Sequence, residues 1–378
     1  MGPLQAIQDA LDRAVARGLP GVAAAALLPS GERIEARAGV RGVDNPAPMT
    51  ADTVFWIASF TKAVTTAAAL QLVEASRIDL DEPVERWLPG LAKPKVLAGF
   101  DAAASPRLGE AARPITLRHL LTHTSGLAYE FCNADLTRYV AASGSPIEGG
   151  APNIPLMFEP GSAWTYGIGL DWTGMLIEAV TGQTLDAYFA QHIFEPLRMT
   201  ETSFDLTEAQ RGRRATMHAR GEGGVLTPTP FEMPPAPYFS MGGGGLHSTA
   251  RDYLRFLEAI LAGGGPILGG ESVAAMAQTE AEGAEVGVLP GVNAQLCGHF
   301  DPFPGMVKRW GLGFVINPDA GPMGRSAGSL AWAGLGNCYY WADPANGAAG
   351  VFLTQILPFG DRQVLEAFGE FERAVYSA

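Results

Sequence analysis

Cysteine is scarce in this chain, whose 378 residues include only Cys132, Cys297 and Cys338. Their number is odd, they lie far apart, and no two of them stand in a Cys-x-x-Cys spacing. Disulfide frameworks and cysteine zinc sites need paired and regularly spaced cysteines. The sequence therefore predicts free thiols in a reducing compartment, which we interpret as the cytoplasm, and no metal site.

Positive charge is also in short supply, since 26 Lys and Arg residues stand against 39 Asp and Glu residues, a formal net charge of −13. Binding to nucleic acid or to an anionic membrane surface requires a cluster of cations that neutralises the phosphates. We therefore expect neither nucleic acid nor a membrane among the partners, and the oligomeric state stays open.

Long apolar runs are absent as well. No stretch of 18 consecutive apolar residues occurs, so no membrane-spanning helix is predicted. At the N-terminus, Asp9 and Asp12 interrupt the apolar stripe of residues 4–17. That spacing is typical of an amphipathic helix and differs from the continuous apolar core of a signal peptide.

The overall composition and the order of the predicted elements indicate a folded protein with two lobes. Hydrophobic residues make up 47% of the chain and charged residues 17%, a composition typical of globular proteins. Strand-like runs lie near both chain ends, at 21–28, 33–38, 311–316, 330–341 and 350–355. Helical patterns lie at 4–17, 117–122, 171–180, 185–193, 249–262 and 362–376, and residues 80–210 are mixed helix and loop.

This order of elements predicts an α/β (α+β) fold, in which both chain ends build one sheet flanked by helices and a mainly helical lobe is inserted between them. We assign residues 1–58 and 226–378 to the sheet domain and residues 59–225 to the helical domain. The active site is expected at their interface.

The strongest chemical signal is the sequence Ser59-Phe60-Thr61-Lys62, between an apolar segment at 54–57 and a strongly apolar helix. Ser and Lys three residues apart share one face of a helix, so the lysine nitrogen can reach the serine hydroxyl. A helix that begins near Ser59 has free N–H groups and the positive end of its dipole there, which favour an alkoxide. Together with burial, this field lowers the pKa of Lys62 and favours a neutral amine. An ordinary solvated lysine is the alternative, because this spacing also arises by chance.

Two further segments supply candidate residues. A turn-rich loop at 158–167 contains Tyr166 just before a predicted helix, and a tyrosine there can exchange protons if nearby positive charge lowers its pKa. The second is Trp332-Ala333-Gly334-Leu335, whose small residues leave room for a substrate and whose N–H groups can bind an oxyanion. Simple packing is the alternative for both segments.

Three other motifs are poor candidates. Residues 324–328 fit the Gly-x-Ser-x-Gly nucleophile motif, but a loop precedes them and no histidine follows them. His119 and His123 stand four apart without the His-Glu-x-x-His form, so we interpret them as core or capping residues. The glycines at 242–245 match neither a P-loop nor a dinucleotide site, and they indicate flexibility or a close backbone approach near a pocket.

In combination, the motifs resemble those of class C β-lactamases and, more closely, of the family VIII carboxylesterases that share their fold. Ser59 and Lys62 match the Ser-x-x-Lys motif, Tyr166 matches the tyrosine motif, and residues 332–334 match the Trp-x-Gly form of the strand motif. The segment His-Thr-Ser-Gly-Leu at 123–127 also matches. The likeness extends from about Gly21 to the C-terminal strands.

This resemblance implies a β-lactamase-like fold with an antiparallel sheet, no cofactor, and an acyl-enzyme formed on Ser59. Lys62 and Tyr166 would share the deprotonation of Ser59 and the protonation of the leaving group. The N–H groups of Ser59 and Leu335 would form the oxyanion hole. The substrate pocket would include the side chains of Trp332, Ala333, Gly334 and Ile168.

Two positions differ from the β-lactamase pattern. Ile168 stands two residues after Tyr166, where β-lactamases have Asn, and Trp332 replaces their Lys. Both changes remove polar groups that would bind an anionic amide, and both are usual in the esterase branch. We therefore predict a serine carboxylesterase acting on small-molecule esters with short or apolar acyl groups. A β-lactamase, D-aminopeptidase or other amide hydrolase is the alternative, and a non-enzymatic scaffold or β-lactam sensor is the third hypothesis.

Overall fold

The computed structural model of the protein describes residues 2–144, 147–148, 151–231, 241–278 and 285–377. The helices are α1 (Pro3–Ala16), α2 (Thr61–Glu74), α3 (Leu117–Leu121), α4 (Ala134–Ser143), α5 (Gly169–Thr181), α6 (Leu185–Phe189), α7 (Glu195–Leu197), α8 (Glu208–Arg211), α9 (Ala250–Leu261), α10 (Gly270–Met276) and α11 (Arg362–Tyr376). Within the described ranges, no helix combines the length and the hydropathy needed to cross a bilayer.

The strands fall into one large sheet and several short pairings. They are β1 (Gly21–Leu27), β2 (Arg33–Gly42), β3 (Asn45–Pro48), β4 (Phe55–Trp56), β5 (Lys95–Phe100), β6 (Pro106–Glu110), β7 (Ile147–Glu148), β8 (Ala151–Pro152), β9 (His218–Arg220), β10 (Leu226–Pro228), β11 (His247–Ser248), β12 (Arg309–Trp310), β13 (Val315–Asn317), β14 (Ser329–Gly334), β15 (Cys338–Asp343), β16 (Ala348–Leu353) and β17 (Ile356–Leu357).

The large sheet has eight antiparallel strands in the order β12-β13-β14-β15-β16-β1-β2-β3. Strand β1 pairs with β16, so that Ala25 lies opposite Val351. The first strand of the chain and the C-terminal strand β16 therefore meet inside one sheet. This arrangement confirms the prediction of a sheet built from both chain ends.

Helices cover both faces of this sheet. In β15, Tyr339 contacts Phe368 of α11, whereas its neighbour Tyr340 contacts Tyr253 of α9. Because successive side chains of a strand point to opposite faces, α11 and α9 lie on opposite sides of the sheet. Strands β14, β15 and β16 are consequently buried at every position, which explains their continuous apolar sequences.

Helix α2 lies in the interior, between the sheet and the helical part of the chain. Its residues from Thr61 to Leu70 are all buried, as the apolar sequence on every side of the helix predicted. It contacts α5 and α6, and the 3₁₀ turn Ala58–Phe60 that precedes it contacts β14. Ser59 therefore lies where the sheet meets the helices.

Three predictions about strands were wrong. The run at 330–341 is two strands, because Asn337 adopts a left-handed φ of 58° and turns the chain between β14 and β15. The run at 311–316 is likewise broken by a turn at Gly313, with a φ of 82°. Residues 95–110, expected as helix and loop, form the β5–β6 hairpin, whose largely exposed side chains give no apolar alternation.

Candidate active site

Ser59 lies in a tight turn between strand β4 and helix α2. Its neighbour Ala58 has a φ of 46°, a conformation that residues with a side chain rarely adopt. The hydroxyl of Thr61 holds this turn, because it donates to the carbonyl of Ala58 at 2.6 Å and accepts the N–H of Leu246 at 3.1 Å. The conformation that presents Ser59 is thus maintained by a distant part of the chain.

The end of strand β14 packs directly against this turn. A Cβ atom at Gly334 would lie only 2.4 Å from the carbonyl oxygen of Ile57. Only glycine allows this approach, and it brings the following residue, Leu335, to the region of Ser59. The N–H groups of Ser59 and Leu335 remain our prediction for the oxyanion hole.

Lys62 is fully buried, and its amine touches three polar groups. The Nζ atom lies 3.0 Å from Ser59 Oγ, 3.0 Å from the hydroxyl oxygen of Tyr129 and 2.5 Å from the carbonyl oxygen of Gly243. Burial lowers the pKa of Lys62 to about 7, although the negative charge of Asp171 acts in the opposite direction. Near neutral pH, much of this amine is therefore unprotonated and able to accept a proton from Ser59.

Tyr166 contacts the nucleophile from a second direction. Its hydroxyl accepts the indole N–H of Trp332 at 3.0 Å, and the side chain of Ser59 lies close enough to lower its pKa. Burial raises the pKa of Tyr166, although Ser59 and Trp332 act in the opposite direction. The direction is the reverse of the lowered pKa considered from the sequence, so the phenol stays protonated near neutral pH.

His123 holds the backbone on both sides of Tyr166. Its carbonyl accepts the N–H of Thr165 at 3.0 Å, its ring Nδ1 accepts the N–H of Gly167 at 3.3 Å, and its ring lies 4.8 Å from that of Tyr166. His119 instead caps the first turn of α3. Both histidines are thus core or capping residues, as predicted. No group of three or more potential ligands in the described ranges is placed to hold a metal ion.

Two residues of the site, Tyr129 and Asp171, were not predicted from the sequence, whereas the glycines at 242–245 were expected near a pocket. The hydroxyl of Tyr129 donates to Asp171 Oδ2 at 3.2 Å, and Asp171 Oδ1 accepts the N–H of Gly243 at 2.9 Å. Asp171 is only 2% exposed. A carboxylate in the first turn of the apolar helix α5 was the one signal in the sequence that could have identified it.

The residues predicted to line the pocket differ in how their side chains are placed relative to the site. Trp332 is buried and its N–H serves Tyr166, while Ile168 is partly exposed at the start of α5. Ala333 lies opposite Tyr339 in the sheet, on the face covered by α11. Its side chain therefore points away from Tyr166, and only the backbone of Ala333 borders the site.

The alternative nucleophile motif at 324–328 is a structural loop. The guanidinium of Arg325 forms two hydrogen bonds with the carboxylate of Glu372, one of them at 2.8 Å, and both side chains are at most 5% exposed. The N–H of Ser326 donates to Asp343 at 2.8 Å. The residues of this motif connect the loop to β15 and α11, and strand β14 begins directly after it.

Residues 6–371 match the family described as Beta-lactamase. The chain belongs to this family, and its fold is the β-lactamase-like fold predicted from the sequence motifs.

Several relatives of this chain have named activities. Monacolin J acid methylbutanoyltransferase of Aspergillus terreus is 35% identical over 358 residues, which cover 87% of this chain and 83% of the relative. Lovastatin esterase of Penicillium rubens is 32% identical over 348 residues, which cover 87% and 86%. A solved structure of a simvastatin synthase mutant from Aspergillus terreus superimposes with a TM-score of 0.89 at 34% identity, covering 99% of this chain and 97% of the other. The protein is thus an enzyme of the class of serine hydrolases and acyltransferases with this fold.

Proposed function

We propose that this protein is a serine carboxylesterase that forms an acyl-enzyme on Ser59 and passes the acyl group to water or to an alcohol. The observation that carries this proposal is the buried Lys62, whose amine lies 3.0 Å from Ser59 Oγ with its pKa lowered to about 7. A buried lysine beside a serine hydroxyl has little structural value, because burial of an amine is unfavourable. It is the expected arrangement for activating a nucleophile.

In the first half-reaction, the amine of Lys62 takes the proton of Ser59 while Oγ attacks the ester carbonyl carbon. The N–H groups of Ser59 and Leu335 bind the oxyanion. The bond between the carbonyl carbon and the alcohol oxygen then breaks. The departing alkoxide takes a proton from Tyr166, whose raised pKa keeps it protonated, and Lys62 restores that proton.

The second half-reaction repeats these steps with an acceptor in place of the leaving alcohol. Water as acceptor gives the free acid, and an alcohol gives a new ester. Acyl transfer is the second candidate function, because one relative is named as a methylbutanoyltransferase and another as an esterase. Both activities need the same acyl-enzyme on Ser59.

Amide substrates are less well supported. Trp332 stands where β-lactamases have a cationic lysine, and its N–H is already bonded to the Tyr166 hydroxyl. Ile168 adds no polar group at the start of α5. We also propose that residues 1–58 and 226–378 form one domain and 59–225 the other, with Ser59 at the boundary.

The test is turnover of p-nitrophenyl acetate and butyrate by the wild-type protein and by Ser59→Ala. We expect turnover to disappear in the variant, and turnover that persists there would refute the proposal. Addition of 1-butanol then separates the two acceptors, because a transferase converts the acyl group into butyl ester at the expense of free acid. Faster hydrolysis of nitrocefin than of either ester would instead favour the amide hydrolase.

A further inference from the structure

Asp171 is connected to two of the three groups that contact Lys62. One carboxylate oxygen accepts the N–H of Gly243, and the carbonyl of that same glycine accepts Lys62 at 2.5 Å. The other accepts the O–H of Tyr129, whose oxygen accepts Lys62 at 3.0 Å. The hydrogen bonds of the Lys62 amine go to Ser59, Tyr129 and Gly243 and not to Asp171. It therefore acts on the amine only through Tyr129, through Gly243 and through its charge.

The number of protons determines how these bonds are arranged. A neutral amine has two N–H donors and one lone pair, and a tyrosine hydroxyl has one proton. Burial raises the pKa of Asp171, whereas the charge of Lys62 and the N–H of Gly243 favour its ionised form. As a carboxylate Asp171 only accepts, so the O–H of Tyr129 donates to it and the phenol oxygen can accept from Lys62. The Gly243 carbonyl also only accepts. Both N–H donors of Lys62 are thereby used, and the lone pair is left for Ser59.

We infer that Asp171 is a positioning residue, which orients the hydroxyl proton of Tyr129 and so directs the lone pair of Lys62 toward Ser59. The inference rests on the proposed function of Ser59 and Lys62. Tight packing supports it, since a Cβ atom at Gly243 would lie 2.5 Å from Asp171 Oδ2 and 2.7 Å from the Tyr129 hydroxyl. These groups are in direct contact, with no space for another side chain between them.

The charge of Asp171 does not explain its presence. A nearby anion favours the protonated ammonium, and Asp171 raises the pKa of Lys62 against the larger effect of burial. The other titratable groups around Lys62 are Tyr129, Tyr166, Cys132 and His123. Charge alone would therefore make Lys62 a poorer base at neutral pH, whereas the orientation of the hydrogen bonds makes it a better one.

The variant that tests this is Asp171→Asn, which keeps the shape of the side chain. Its amide oxygen can still accept the N–H of Gly243, but its NH2 group then faces Tyr129 as a donor. The O–H of Tyr129 must then donate to Lys62. The lone pair of Lys62 is used in this hydrogen bond and can no longer accept the proton of Ser59. We expect labelling of Ser59 by a fluorophosphonate, and kcat for p-nitrophenyl acetate, to fall about 100-fold, within the range of general-base contributions.

Tyr129→Phe is the matched variant. It removes the hydroxyl whose hydrogen-bond direction Asp171→Asn would reverse. We expect Tyr129→Phe alone to lower kcat about 10-fold. Adding Asp171→Asn to it should lower kcat by less than about a further threefold, because the two changes act through one hydroxyl. The acid limb of the pH–rate profile should also move to lower pH in Asp171→Asn, because an anion beside Lys62 has been removed. This shift reports the charge of Asp171 beside Lys62, whereas the dependence of the Asn effect on the Tyr129 hydroxyl reports its positioning role.

The inference would be overturned if Asp171→Asn lowered kcat by the same factor in the wild-type protein and in the Tyr129→Phe variant. An unchanged rate in Tyr129→Phe would also overturn it, even if the Asn variant did not fold. Ser59 labelling in the wild-type protein distinguishes failure of the proposed function from failure of this inference. Its absence would refute the proposed function and this inference together, whereas equal labelling of wild type and Asp171→Asn would refute the inference alone.

Discussion

Acidification should inactivate this enzyme through protonation of Lys62. Only the neutral amine can accept the proton of Ser59, and the pKa of Lys62 is lowered to about 7. With that value, about half of the enzyme is competent at pH 7, and about a tenth at pH 6. Activity should therefore fall as the pH decreases through 7, and it should approach a tenfold loss per pH unit on the acid side.

The appropriate assay is kcat/KM for p-nitrophenyl acetate between pH 5.5 and 9, because this parameter reports the pKa values of groups in the free enzyme. Ser59→Ala supplies the background rate at each pH. Return of samples to pH 8 checks that low pH has not unfolded the protein. A flat profile, or a midpoint near 4 as for an ordinary carboxylate, would refute the role of Lys62 as the base.

A histidine with an ordinary pKa would give a similar midpoint, and His123 is the histidine that contacts Tyr166. Burial, and secondarily the charge of Lys62, lower the pKa of His123 well below its usual range. We therefore expect His123→Asn to reduce the rate, because it disturbs the support of Tyr166, without moving the midpoint. Loss of the acid limb in this variant would show that the titrating group is not Lys62.

Three other predictions follow from individual contacts. Arg325→Met should destabilise the fold by about 3–5 kcal/mol, because it leaves the carboxylate of Glu372 buried without its partner; calorimetry should show a melting temperature about 4–6 °C lower. Trp332→Phe should lower kcat about 2–10-fold, the value of one hydrogen bond, since Tyr166 loses the N–H that it accepts. Gly243→Ala should lower kcat for p-nitrophenyl acetate at least about tenfold, because the added Cβ would displace groups that contact Lys62.

Each of these predictions has its own control. The double variant Arg325→Met with Glu372→Leu should recover most of the lost stability, and a double variant as unstable as the single would contradict the charge argument. For the glycine run, Gly244→Ala is the matched control, because its Cβ would come no closer than 3.9 Å to any neighbour. Equal activity of the two alanine variants would contradict the steric account. Unchanged kcat in Trp332→Phe would show that its N–H is not needed.

Local sequence determined the centre of the site. Ser59 and Lys62 are three residues apart, and one turn of backbone at the start of α2 brings the two side chains within 3.0 Å. The apolar residues of α2 indicated that Lys62 would be buried, and burial is what lowers its pKa. The bounds of α11 were also predictable, because its apolar stripe and the Asp361 cap are local features.

Only the tertiary structure decided which groups surround the lysine. Tyr129, Asp171 and Gly243 come from three separate segments, and no spacing in the sequence relates them to Lys62. The direction of the Tyr166 pKa shift also depended on packing, because burial outweighs the effect of its hydrogen bonds. The distance between two residues one helical turn apart is set by the backbone. Contacts between distant segments depend instead on how the whole core packs. The nucleophile and its base were therefore determined by the sequence itself, and the hydrogen bonds that orient them by the fold.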